Sequence, residues 1–176
     1  DTATRWVILT INKAPLVITL DSVRKVYGDA NPSFTVTYSG FVHDEAPGNS
    51  DLSGAVNFET EANELSPVGE YIVTPVIGNL TSRNYHFDFV PGKLYVDKAL
   101  LQVWADTLTK NYGALNPALT YRLTGFKNNE DAVSASVQGI PVLTTSAQDT
   151  SNVGIYDITI DSGDLSAQNY DFQVNP

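Results

Sequence analysis

Few side chains in this sequence are of a type and spacing that does chemistry. Nucleophilic catalysis needs a base beside the nucleophile, and the chain offers two histidines, His43 and His86, and no cysteine. Paired carboxylates could serve glycoside hydrolysis, and Asp44 with Glu45, or Glu59, Glu61 and Glu64, are the available pairs. Carboxylates also hold calcium in extracellular arrays; Asp21, Asp106, Asp161 and Asp164 are the metal candidates, although no Asp-x-Asp-x-Asp-Gly loop orders them. Lys25, Glu45 and Asn84, and again Lys110, Glu130 and Asn169, supply the atoms of an intramolecular Lys–Asn isopeptide bond, which needs a proximity that spacing alone does not give. An exposed Trp or Tyr can stack on a sugar ring or a partner, which makes Trp104, Trp6, Tyr27 and Tyr112 the ligand-binding candidates.

An internal repeat decides among these. Shifted by 85 residues, the sequence falls on itself without a gap. Lys25-Val26-Tyr27-Gly28 meets Lys110-Asn111-Tyr112-Gly113, and Asn31-Pro32 meets Asn116-Pro117. Gly40-Phe41 meets Gly125-Phe126, Val68-Gly69-Glu70-Tyr71 meets Val153-Gly154-Ile155-Tyr156, and Asn84-Tyr85 meets Asn169-Tyr170. Catalytic groups fare badly under this comparison. His43 and His86 correspond to Asn128 and Asp171, and Glu59 and Glu61 to Thr144 and Ser146. The acidic clusters read as a solvated face, and an enzyme is not expected. The shared tyrosines Tyr27/Tyr112, Tyr71/Tyr156 and Tyr85/Tyr170 read as packing residues. Trp104, which replaces Thr19, is the better candidate for a contact with a neighbouring repeat. Asn79-Leu80-Thr81 forms a glycosylation sequon in the first repeat alone.

Composition narrows the setting. Twenty acidic residues against ten basic give a net charge of −10. That disfavours nucleic acid, whose binding needs a basic footprint, and an anionic membrane surface. No apolar run approaches a membrane span, and membrane insertion is not expected. Without Cys or Met there is no disulfide framework and no thiolate metal site. No cofactor is expected beyond calcium.

The elements that position these residues are strands. Alternation puts Leu16, Ile18 and Leu20 on one face, matched by Leu101, Val103 and Ala105. The same pattern runs through Phe34, Val36 and Tyr38, through Tyr71 and Val73, and through Tyr85, Phe87 and Phe89. Val90-Pro91-Gly92-Lys93 predicts a type II turn closing a hairpin onto Leu94–Val96. Residues 42–52 and 127–137 have room for one short helical turn. The fold expected is mainly β: two tandem modules, β-grasp-like with at most a short helical turn each, or alternatively an immunoglobulin-like β-sandwich. Residues 7–14 correspond to the strand at 92–99, so residues 1–14 read as the closing strand of a preceding repeat. Residues 15–98 form the first repeat, and 99–176 the second without its closing strand. On this phase the chain is expected to be a piece of a longer tract, and residues 7–14 are expected to add as a strand to the second repeat of another molecule. The junction at 94–103 has no Gly/Ser linker, which predicts a stiff connection.

Lys-x-Tyr-Gly-x-x-Asn-Pro, Gly-Phe, Val-Gly-x-Tyr, Asn-Tyr-x-Phe and Pro-Gly-x-Leu-x-Val-x-Lys-Ala together resemble the MBG domain of the YGX type, a tandem repeat of large bacterial surface proteins and adhesins. The resemblance covers both repeats. It implies an extracellular location on a bacterial cell surface, with neighbouring repeats of the same chain as partners, and a role as a stalk that projects a distal binding domain. The alternative it leaves open is a ligand-facing module that holds host glycan or matrix protein by avidity.

Overall fold

A computed structural model describes residues 5–175; Pro176, which the repeat aligns with Pro91, lies outside them. The fold is mainly β, and no helix occurs among the described residues. In the first repeat β1 (Ala14–Leu20) is the centre of a three-stranded sheet in the order β3-β1-β6. It pairs antiparallel with β3 (Val36–Ser39) and parallel with β6 (Tyr85–Val90). The alternation read from the sequence holds: Leu16, Ile18 and Leu20 are buried and the residues between them are more exposed. The second sheet has the order β2-β7-β5-β4, from β2 (Val23–Val26), β7 (Gly92–Asp97), β5 (Gly69–Val76) and β4 (Asn57–Glu59).

The second repeat keeps the first sheet and part of the second. β8 (Ala99–Ala105) pairs parallel with β12 (Tyr170–Asn175) and antiparallel with β9 (Tyr121–Thr124). β10 (Val142–Thr145) pairs with β11 (Ile158–Asp161). β7 has no counterpart among the described residues here, and its two neighbours change accordingly. Residues 108–111, equivalent to β2, carry no strand, and β11 has four residues where β5 has eight. A strand needs partners for its N–H and C=O groups: β11 has β10 alone beside it, and 108–111 have no paired strand among the described residues.

One sequence expectation is corrected. Residues 90–93 do not close a hairpin: β6 and β7 belong to different sheets, so Pro91 carries the chain from one sheet to the other. Gly92 lacks the positive φ of a type II turn. It is required by closeness instead, because a Cβ there would stand 2.5 Å from Leu20 Cδ2. No α-helix forms at 42–52 or 127–137, but each holds a single helical turn, with Ser50 N–H donating to the Ala46 carbonyl (3.0 Å) and Ala135 N–H to the Asp131 carbonyl (2.9 Å). His43 and Asp44 have φ of 55° and 57°, and their counterparts Asn128 and Asn129 have 53° and 57°, left-handed values that make a tight turn where a helix would begin. Residues 5–13 carry no strand in this chain, and Val7, Ile8, Leu9 and Ile11 are exposed.

The described chain divides into two compact units that do not coincide with the repeats. One comprises residues 5–23, 32–61 and 70–94; the other comprises 24–31, 62–69 and 95–175. The Tyr-Gly turn of the first repeat thus belongs to the unit built around the second.

Candidate functional site

The most developed cluster of side chains lies within that second unit and is built on Glu130. The left-handed pair Asn128-Asn129 forms a tight turn closed by Glu130 N–H donating to the Lys127 carbonyl (2.9 Å). The turn leaves the Glu130 carboxylate able to accept from two tyrosines. Tyr170 Oη donates to Oε2 at 2.5 Å and Tyr27 Oη donates to Oε1 at 2.6 Å. The two tyrosine rings meet edge to face, 5.5 Å between centroids and 84° between planes, a favoured aromatic geometry. Phe126 packs edge-on against Tyr170 from the same turn. Burial, and then the bonded carboxylate, raise both tyrosine hydroxyls above the ordinary phenol value. An ionised phenolate there would lose its hydration and face a negative neighbour.

The Tyr27 turn is seated by further contacts. Lys127 Nζ pairs with Asp29 Oδ1 at 2.9 Å, and Val68 N–H donates to Asn169 Oδ1 at 3.0 Å. Gly28 has φ of +82°, and a Cβ on it would lie 2.4 Å from Lys127 Cβ. Here glycine is needed twice, for the left-handed turn and for the close approach. Lys25 is buried under the turn, where its ammonium donates to the carbonyls of Asp29 (3.0 Å) and Asn63 (2.6 Å); burial lowers its pKa.

The first unit contains the same socket in part. Tyr85 Oη donates to Glu45 Oε2 at 2.5 Å, and Phe41 packs edge-on against Tyr85 at 5.4 Å. Nothing among the described residues occupies the second oxygen of Glu45 or the side chain of Asn84.

The other sequence candidates are placed as follows. Asp21 accepts from the hydroxyls of Thr35 and Thr37, and Asp106 from Thr120 and Arg122, so each ties the edge of its sheet. Asp161 accepts from Gly163 N–H and Asp164 from Ile140 N–H. No three His, Cys, Asp or Glu residues gather as a metal site among the described residues. Lys110 donates to the carbonyls of Ala114 and Gln148, so in each repeat the isopeptide set is spread over separate hydrogen-bond groups. Trp104 lies under the Arg122 guanidinium, 5.8 Å from ring to carbon. Trp6 and Tyr112 are exposed. Glu59 and Glu61 line an open groove with Glu70 and Ile72. His86 is exposed beside Asp88, at 3.7 Å. The sequence reading missed the role of Glu130. The signal was available in Glu45 and Glu130, which share their phase with the paired tyrosines.

The chain belongs to the MBG domain (YGX type) family, whose model matches residues 16–95 and 101–176. The family is one of adhesin-type repeats associated with surface proteins. No curated protein and no solved structure matches the chain.

Proposed function

We propose that this tandem pair is a rigid spacer in a bacterial cell-surface adhesin, holding a distal binding domain away from the surface. The observation that carries the reading is the seating of the Tyr27 turn on Glu130 and Tyr170. A free linker between repeats would leave that turn in solvent, whereas Tyr27 is only 4% exposed. Nearest-neighbour contacts of this kind are how repeat proteins convert local packing into length. The short connection between β7 and β8, through Lys98 alone, favours the same reading.

A second reading has its own observation. Trp6 and Tyr112 are exposed aromatics, which suits stacking on a host glycan or matrix protein. The test is binding of the two-repeat protein to a broad glycan and matrix-protein array, with calcium and with chelator. The spacer reading expects no saturable binding in either condition. Saturable binding that disappears in Trp6→Ala or Trp104→Ala, with the fold intact, would replace it with the ligand-facing reading.

A further inference from the structure

Two asparagines in the sequence have Ser or Thr two residues on, in Asn31-Pro32-Ser33 and Asn79-Leu80-Thr81. Such a triplet accepts an N-linked sugar only where its middle residue is not proline and it lies open on a surface. Asn31 fails on both counts, because Pro32 follows it and its Nδ2 donates to the Ala62 carbonyl at 2.7 Å. Asn79 meets both. Leu80 is 2% exposed and anchors the segment in the core, while Asn79 and Thr81 on either side of it are exposed. The turn between β5 and β6 that carries them is fixed. Leu80 N–H donates to the Ile77 carbonyl (2.9 Å) and Asn79 N–H to the Ala55 carbonyl (3.2 Å), and Thr81 bridges to Ser53.

The two polar atoms of the Asn79 side chain have different duties. Oδ1 accepts from Ala55 N–H at 2.7 Å, while Nδ2 has no hydrogen-bond partner among the described residues. The second repeat shows which duty the fold requires. Gly78 and its counterpart Gly163 have φ of +54° and +57°, so the turn is the same. Asp164 stands where the first repeat has Asn79, and its Oδ1 accepts from Ile140 N–H, also at 2.7 Å. This position therefore needs a side-chain oxygen, and a carboxylate supplies it. The amide nitrogen of Asn79 makes no contact that holds the turn, and it is the atom to which an N-linked sugar is joined.

We infer that Asn79 is a site of N-linked glycosylation, present on the first repeat alone. In the transfer, Nδ2 bonds to the anomeric carbon of a sugar carried as its diphosphate ester on a nucleotide or a lipid. The bond from that carbon to the diphosphate oxygen breaks, its electron pair leaves with the diphosphate, and one Nδ2 proton passes to a base of the transferring enzyme. The bond from Ala55 N–H to Oδ1 is kept, because the modified nitrogen takes no part in it, so the sugar is compatible with the folded repeat. The inference is independent of whether the repeats serve as a spacer.

Mass spectrometry of the protein released from the surface of the cells that make it tests this, read on the tryptic peptide that ends at Arg83. The wild type should carry a hexose or N-acetylhexosamine adduct that fragmentation places on Asn79. Two variants made in the same cells separate the parts of the site. Thr81→Val keeps the acceptor nitrogen, removes the exposed hydroxyl and should lose the adduct. Asn79→Asp should also lose it, and should unfold in urea with the midpoint of unmodified wild type, because Asp164 makes the same bond in the second repeat. A wild-type peptide without any adduct overturns the inference. An adduct that persists in Asn79→Asp or in Thr81→Val overturns it equally, since the sugar would then be attached elsewhere or without regard to the triplet.

Discussion

At the scale of single residues, the cluster around Glu130 is a carboxylate shared between two phenols. A hydrogen bond to a charged group contributes about 1.5–3 kcal/mol where a neutral one contributes about 1. Glu130→Gln should therefore destabilise the protein by about 1–3 kcal/mol in urea unfolding, and more than Glu45→Gln, whose carboxylate holds one tyrosine. The pH dependence has a definite sign. Tyr27, Tyr38, Tyr85 and Tyr170 all have raised values in the folded state, with burial the first cause. The folded protein thus holds these protons more tightly than the unfolded chain does. The associated stability is present below the ordinary phenol value of about 10 and falls as pH rises beyond it. Tyrosinate absorbance at 295 nm should show these four of the nine tyrosines ionising late, together with unfolding. In Glu130→Gln the titration of Tyr27 and Tyr170 should move to lower pH, because one of the two causes has gone.

At the scale of elements, the two repeats show what a central strand does. β2 exists where β7 lies beside it, with Tyr27 N–H donating to the Asp97 carbonyl at 2.8 Å and Arg24 paired with Asp97 at 2.7 Å. The equivalent residues 108–111 include Lys110 and the same flanking Tyr-Gly, yet form no strand. The first segment has Val23 and Val26 where the second has Leu108 and Asn111, and β2 also has β7 beside it, so propensity and pairing act in the same direction. Native-state hydrogen exchange should separate them: amides of 23–27 slow, those of 108–112 and 152–156 fast. Equal protection of both segments in dilute protein would contradict this account. The crossing at Val90–Gly92 belongs to the same scale, since it sends sequential strands into different sheets and lets Leu94 and Val96 reach the core.

At the scale of the whole molecule, stability in a repeat chain is a sum of what each repeat holds and what each junction adds. The two Tyr-Gly glycines separate these contributions. Gly113→Ala introduces only left-handed strain, roughly 1–2 kcal/mol. Gly28→Ala introduces the same strain and drives a methyl into Lys127, which adds roughly 1–3 kcal/mol. Calorimetry should find Gly28→Ala the more damaging, with the unfolding transition broadened as the repeats lose their coupling. Equal effects would mean that the seated turn adds nothing to stability.

The sequence by itself determined the class of fold, the repeat and its phase, and the family. Each is written in local or periodic patterns: alternation for Leu16–Ile18–Leu20, a fixed offset for the Tyr-Gly turns, and the Gly-Phe and Asn-Tyr motifs for the family. Tertiary structure alone decided what those residues touch. Tyr27 and Tyr112 are the same residue in the same motif, and only a partner 103 residues away in sequence makes one buried. Pro91-Gly92 has the composition of a hairpin turn and instead joins two sheets, with β7 pairing between β2 and β5 rather than with β6. Residues 42–52 have polar residues suited to a helical turn, which forms at Ala46–Ser50, but the left-handed pair His43-Asp44 before it, which sets Glu45 beside Tyr85, is not legible in composition. A residue's neighbours along the chain fix its local options. Which option is taken depends on hydrogen-bond partners and buried surface supplied from far away in sequence, and no periodicity encodes those.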